Sequence, residues 1–157
     1  SLIERVASLV PHGRWREFKG LAVATGPGGF TGTRLSVVMA RTLAQQLGCP
    51  LLGVSSFALM AQRLATDEQP FWITQPLLRR GVVAGQYRVR DAVVEELQAP
   101  RLLEADQQVS PAVEAEVDVD VDVAALLGRL QRSLQRDESL PWQPVLPIYP
   151  TSPVGPV

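Results

Sequence analysis

The feature that most constrains this chain is a glycine-rich stretch, Gly26, Pro27, Gly28, Gly29, Phe30, Thr31 and Gly32, set between an apolar run and an amphipathic one. The apolar run, residues 21–25, is short enough for a buried strand. After the loop, the spacing predicts a helix over residues 33–47, with Leu35, Val38, Met39, Thr42 and Leu43 along one side. Gly48 stands where a left-handed C-terminal cap belongs. Residues 51–54 read as a second buried strand. Ser55 and Ser56 can cap a helix over residues 57–65. Strand, loop, helix and strand in this order make a βαβ unit with parallel strands. Two parallel strands alone are not a stable sheet. Nothing downstream has the pattern of a partner, so further strands are expected upstream of Ser1. Without them the strand over residues 21–25 would have an exposed edge.

Upstream of the loop, Leu2, Ile3, Val6, Leu9 and Val10 recur at helical spacing, so the chain is expected to begin inside a helix that ends at Pro11 and Gly13. Downstream, residues 66–69 are a polar break and the best candidate for a lobe boundary. Strands are expected over residues 71–74 and 81–90, with Arg90, Asp91 and Ala92 turning the chain into a strand over 93–97. Residues 115–123 alternate valine with acid, which predicts a strand with Asp118, Asp120 and Asp122 on its solvated face. A helix is expected over residues 124–135, with Leu126, Leu127, Leu130 and Leu134 on one side. The division that follows is a partial N-terminal lobe over residues 1–66, a second, smaller α/β lobe over 67–140 and a proline-rich tail over 141–157. In that tail Pro141, Pro144, Pro147, Pro150, Pro153 and Pro156 recur every three residues, the period of a polyproline II helix. An extended segment lying on the surface or disordered accounts for them; a ligand for a proline-binding groove is the sharper alternative.

The chemistry-bearing residues are few. A loop between a strand and a helix N-terminus can cradle a phosphate on its free N–H groups. Here, however, the P-loop spacing is one residue short between Gly28 and Gly32, with Arg34 in place of lysine. The dinucleotide fingerprint has Thr31 where its last glycine belongs. Glycines that permit a tight turn and close packing are the better explanation of the loop. The three aspartates fail as a calcium loop, since Val123 follows where glycine is required. Ser55 lacks the second glycine of a nucleophile elbow. His12 is the only histidine, which rules out a metal site of two or three histidines within these residues and leaves no serine–histidine pair beyond His12 itself. It reads as a loop residue, and Cys49 as a small core residue.

A net charge of −1 gives no excess of cations to hold many phosphates, so nucleic acid is not expected to be held mainly by this chain. One cysteine allows no disulfide within it, which fits a reducing compartment. No apolar run approaches the ~18 residues of a spanning helix. There is no basic-then-apolar start. A soluble cytoplasmic protein without membrane contact is expected.

The run from Ala22 through the loop to Thr33 and Arg34 closely resembles the signature of TsaB-type (YeaZ-like) proteins: a strand, then G-P-G-[SG]-F-T-G-x-R, then a helix. Ala40, Leu43 and Ala44, and the stretch Pro50 to Ser56, continue the likeness. Residues 79–83 are similar to a weaker segment of that family but depart from it at Leu77, Val82 and Ala84. Pro147, Ile148 and Tyr149 resemble its ending. The firm likeness covers residues 21–61, and its core is shared in part with the catalytic TsaD type.

What the resemblance implies is an α/β fold of the actin-like ATPase (ASKHA) group, with two lobes and, here, an incomplete N-terminal lobe whose first strands carry an acidic turn in the family. It implies a heterodimer with a TsaD-type transferase, made through helices that map to residues 2–10 and 33–47. The candidate contacts are Leu2, Ile3, Val6, Leu9, Leu35, Val38, Met39 and Thr42. It further implies a pathway ATPase of the TsaE type docking on the pair, tRNA reached indirectly, and self-association as a homodimer. TsaD-type enzymes carry metal-binding histidines, which a chain with His12 alone does not match. The expectation is therefore a non-catalytic subunit with no cofactor and no metal. The alternative is a nucleotide-binding enzyme of the actin-like group, holding ATP or ADP at the loop. A peptidase is disfavoured, since no nucleophile–base pair is visible.

Overall fold

The computed structural model describes residues 1–28 and 30–148, with the backbone alone at Phe30 and Thr31. The βαβ unit forms as its pattern predicts. Strand β1 (Leu21–Ala24) pairs in parallel with β2 (Leu51–Val54), Leu21 opposite Leu51 and Val23 opposite Gly53. The crossover is α2 (Phe30–Leu47), which begins three residues earlier than its apolar spacing suggests. Gly48 takes φ +64°, the left-handed cap. Because side chains alternate along a strand, Leu21, Val23, Leu51 and Gly53 share one face. There Val23 and Leu51 are buried with Val37 and Ala44 of α2. Ala24, Leu52 and Val54 face the other way, into a second core cluster around α3 (Ser56–Leu64). Both faces of the parallel pair are covered, as parallel strands require.

The second sheet has the order β5-β4-β3-β6, built from β3 (Phe71–Leu77), β4 (Gly81–Arg90), β5 (Val93–Leu102) and β6 (Ala112–Glu114). β3, β4 and β5 form an antiparallel meander, and β6 lies parallel to β3. Asp91 and Ala92 make the β4–β5 turn with φ of 49° and 62°. Two positive φ values give a two-residue turn whose twist matches that of the strands. One face of this sheet packs on α3, burying Phe57, Met60, Ile73, Val83 and Tyr87 together.

Two expectations are overturned. The alternating segment 115–123 is not a strand: β6 ends at Glu114, and α4 runs Val119–Gln135. Asp118 caps α4, its carboxylate accepting from the Val121 N–H at 3.3 Å, and Asp120 and Asp122 lie in the first turn. Carboxylates at a helix N-terminus satisfy free N–H groups and the helix dipole, and this outweighed the period-two pattern. Asp122 also pairs with Arg63 of α3 at 3.2 Å. Val119 and Val123 consequently stay exposed. Leu127 is half exposed, off the buried side of α4 that carries Leu130.

The proline-rich segment up to residue 148 is not a loose surface strand. Leu51 N–H donates to Leu140 C=O and Ile148 N–H to Thr25 C=O, so the segment bonds to the β1–β2 unit at both its ends. Trp142 and Val145 pack into the β1–β2–α2 core. Arg41 of α2 donates to the carbonyls of Gln143 and Val145 and lies 5.2 Å from the Trp142 ring. The strap fits because Gly53 has no side chain: a Cβ there would stand 2.8 Å from Val145 Cγ1. The prolines at 150, 153 and 156 and the family-like Tyr149 lie outside the described residues.

The expected first helix is present. Ser1 is the N-cap of α1 (Leu2–Leu9) in a capping box with Glu4. The following 3₁₀ turn (His12–Glu17) is tied back to it by Trp15 Nε1 donating to Val10 C=O at 2.9 Å.

Candidate functional site

The glycine-rich loop is a packed turn. Gly26 has φ +99°, where L side chains are strained, and a Cβ there would meet Thr33 Cγ2 at 3.1 Å. A Cβ on Gly28 would meet Thr33 Oγ1 at 3.1 Å, whereas Gly32 has open space around it. Gly26 and Pro27 are buried, and Arg34 is exposed. Two carbonyls at the entry to the loop are engaged inside the chain: Thr25 C=O accepts from Ile148 N–H at 2.8 Å and Gly26 C=O from Ser56 N–H at 2.7 Å. Gly29 and the side chains of Phe30 and Thr31 lie outside the described residues. Among the described residues no group of three His, Cys, Asp or Glu could hold a metal. No helix among them is long and apolar enough to cross a membrane.

The eight candidate contact residues are distributed over the surfaces of α1 and α2. α1 buries none of its side chains; Ile3 is 70% and Leu9 77% exposed, Leu2 is exposed and Val6 partly so. On α2, Val37 and Ala44 face the sheet, while Leu35 and Val38 are 54% and 57% exposed. Met39 is partly buried, and Thr42 is exposed with its hydroxyl donating to Val38 C=O at 2.9 Å. Leu35, Val38 and Thr42 thus lie outside the core, with Met39 at its margin. Leu35 and Val38 are apolar side chains held outward by a helix whose other face is anchored.

A polar cluster, buried at Ser55 and Tyr87 and open to solvent at Glu96, joins the two sheets. Ser55 Oγ caps α3 by accepting from Ala58 N–H at 3.0 Å and donates to Glu96 Oε2 at 2.6 Å. Tyr87 Oη donates to the same oxygen at 2.9 Å. Ser55 Oγ and Tyr87 Oη also stand within hydrogen-bond distance of each other, at 3.2 Å, and either hydroxyl can donate. Burial first, and then the Glu96 charge, push the Tyr87 phenol well above its ordinary range, against the lowering effect of Ser55. No imidazole reaches the Ser55 hydroxyl, so the cluster has the makings of a lock between sheets rather than of a nucleophile.

A family model described as TsaD, tRNA N6-adenosine threonylcarbamoyltransferase, matches residues 13–114. The chain belongs to the TsaD family. The relatives to which it is similar carry the names TsaB and YeaZ. A curated relative, the tRNA threonylcarbamoyladenosine biosynthesis protein TsaB of Bacillus subtilis (strain 168), is 34% identical over 86 residues, 52% of this chain and 36% of that one. The likeness thus spans about a third of that relative's length. A solved structure described as an uncharacterized protein with similarity to peptidase YEAZ from Pseudomonas aeruginosa superposes with a TM-score of 0.70 at 20% identity, covering 96% of this chain and 82% of that one. The structure of YeaZ from Pseudomonas aeruginosa gives 0.65 at 20% identity, covering 94% and 82%. The actin-like α/β fold expected from the sequence is the fold of this TsaD-family chain.

The loop and the apolar spacing of α1 and α2 are legible in the sequence; the Ser55–Tyr87–Glu96 cluster is not. Ser55 was legible as a cap. Tyr87 and Glu96 carry no local signal, since they meet only through the β4–β5 register that sets them opposite each other.

Proposed function

We propose that this chain is a non-catalytic subunit that binds and stabilises a TsaD-type transferase in the threonylcarbamoyladenosine modification of tRNA. The observation that carries the reading is the exposed row Leu35 and Val38 on α2, together with Ile3 and Leu9 on α1. Exposed apolar side chains on an anchored helix suit the apolar centre of a protein interface, and the family likeness supplies the partner. The glycine-rich loop serves here as a structural turn that starts α2 in the right direction, because the Gly26 carbonyl is bonded within the chain and Gly26 and Gly28 are closely packed against Thr33. Its role does not require bound ATP or ADP. A TsaE-type ATPase and tRNA would be reached through the complex, in the cytoplasm.

The test is co-expression with the TsaD-type subunit of the same organism, tagged for capture. The wild-type chain is expected to be retained. Val38→Asp and Leu35→Asp are expected to abolish retention while leaving the thermal midpoint within a few degrees, since exposed positions contribute little to stability. Retention of both variants would place the contact elsewhere. Transfer of the threonylcarbamoyl group to tRNA by the purified chain alone would overturn the non-catalytic reading.

A further inference from the structure

Away from these surfaces lies a cleft of about 330 Å³ between α3, α4 and the β4–β5 turn. Its α4 wall presents Arg129, Arg132 and Arg136, spaced by three and four residues and therefore on one side of the helix. Leu59 and Val94 line the opposite walls, with Gln62 and Ser133 as further donors and Glu138 as the acid of the lining. Like charges at this spacing repel. Among the described residues no carboxylate forms an ion pair with any of the three arginines.

Arg129 is the informative member. Its Nη1 is buried and has no hydrogen-bond partner. Burial lowers its affinity for the proton; Glu96 and Glu138 act on it favourably through space, and Arg132 unfavourably. A cation at the C-terminal end of a helix is favoured by the helix dipole, which accounts for Arg132 and Arg136 at the surface. It does not account for a guanidinium drawn into a cleft with a nitrogen unsatisfied, an arrangement that costs desolvation without return.

We infer that this cleft binds the oxyanion of a small molecule, a phosphomonoester or a carboxylate, on Arg129 and Arg132, with its apolar part against Leu59 and Val94. Guanidinium groups pair with such oxyanions through charge-assisted hydrogen bonds. The volume is at the lower end of small-ligand sites. A small ligand is favoured over the backbone of a nucleic acid because Arg129 is recessed between α3 and α4, where only something entering the cleft can reach it. The inference is independent of the partner proposed above.

The test is calorimetric titration of the full chain with phenyl phosphate, benzoate and inorganic phosphate at fixed ionic strength, with chloride as the reference. Saturable binding of phenyl phosphate that is lost, roughly tenfold or more, in both Arg132→Gln and Arg129→Gln supports the site. Arg132 is exposed, so its variant is expected to keep the wild-type circular dichroism even where the Arg129 variant unfolds. Binding of benzoate as well widens the ligand class to carboxylates; binding of the phosphates alone narrows it to phosphomonoesters. Heats no larger than with chloride, or binding unchanged in Arg132→Gln, would overturn the proposal. Displacement of phenyl phosphate by a short RNA duplex at lower concentration than by free phosphate would assign the arginines to nucleic acid and overturn it equally.

Discussion

Ser55 Oγ donates to Glu96 Oε2 across 2.6 Å, and the two residues belong to different sheets: Ser55 follows the last residue of β2, while Glu96 lies in β5. The same oxygen of Ser55 accepts from Ala58 N–H. One hydroxyl therefore starts α3 and ties it to the second sheet. Replacing Ser55 by Ala removes a helix cap, worth about 1 kcal/mol, and a hydrogen bond to a carboxylate, worth about 1.5–3 kcal/mol. Ser55→Ala is expected to lower unfolding stability by about 2–4 kcal/mol in urea titration, and Ser55→Thr by much less. A loss below ~0.5 kcal/mol would show that the bond does not hold the sheets together.

Tyr87 gives this region a pH dependence. Its phenol is held protonated by burial first and by Glu96 second, so its folded pKa lies above the unfolded value of about 10. Below pH 10 both states carry the proton and the contribution is fully present. Above it the unfolded chain releases a proton that the folded chain keeps, and stability falls by up to ~1.4 kcal/mol per pH unit. In Tyr87→Phe this part of the alkaline decline is expected to disappear, measured as the urea midpoint between pH 9 and pH 11. An unchanged slope in the variant would contradict the assignment.

The Gly53 position is set by the strap. A methyl group there would lie 2.8 Å from Val145 Cγ1 and 3.0 Å from Thr25 Cγ2. Gly53→Ala is expected to cost about 1–3 kcal/mol as overpacking and to increase amide exchange at Ile148, whose N–H bonds to Thr25 C=O. Gly53→Ala combined with Val145→Ala should recover part of the loss, because the two groups share one space.

At the β4–β5 turn, Ala92 is held at φ +62°. A non-glycine residue in the left-handed region is strained by roughly 1–2 kcal/mol. Ala92→Gly relieves that strain at a smaller entropic cost and completes the favoured Asp-Gly pair. It is expected to raise stability by about 0.5–1 kcal/mol, read from thermal unfolding. A decrease would show that the Ala92 methyl group packs more usefully than its backbone suffers.

The sequence by itself determined the βαβ unit, the left-handed cap at Gly48, the α3 cap at Ser55 and the meander turn at Asp91 and Ala92. Each depends on neighbours within a few residues, where spacing, capping chemistry and backbone preference act. It also displayed the outward stripe of α2, though not which side would be anchored; that was settled when Val37 and Ala44 met β1 and β2. The valine–acid alternation misled because two local codes competed over residues 115–123, and capping of α4 won. What only the tertiary structure decided rests on contacts between residues far apart in sequence. Val145 seats over Gly53, Arg41 holds the strap by its carbonyls, Glu96 collects the hydroxyls of Ser55 and Tyr87, and Arg129 is drawn between α3 and α4. No local pattern encodes these meetings, since each is fixed by how whole elements pack, and burial then gives the polar groups their energies.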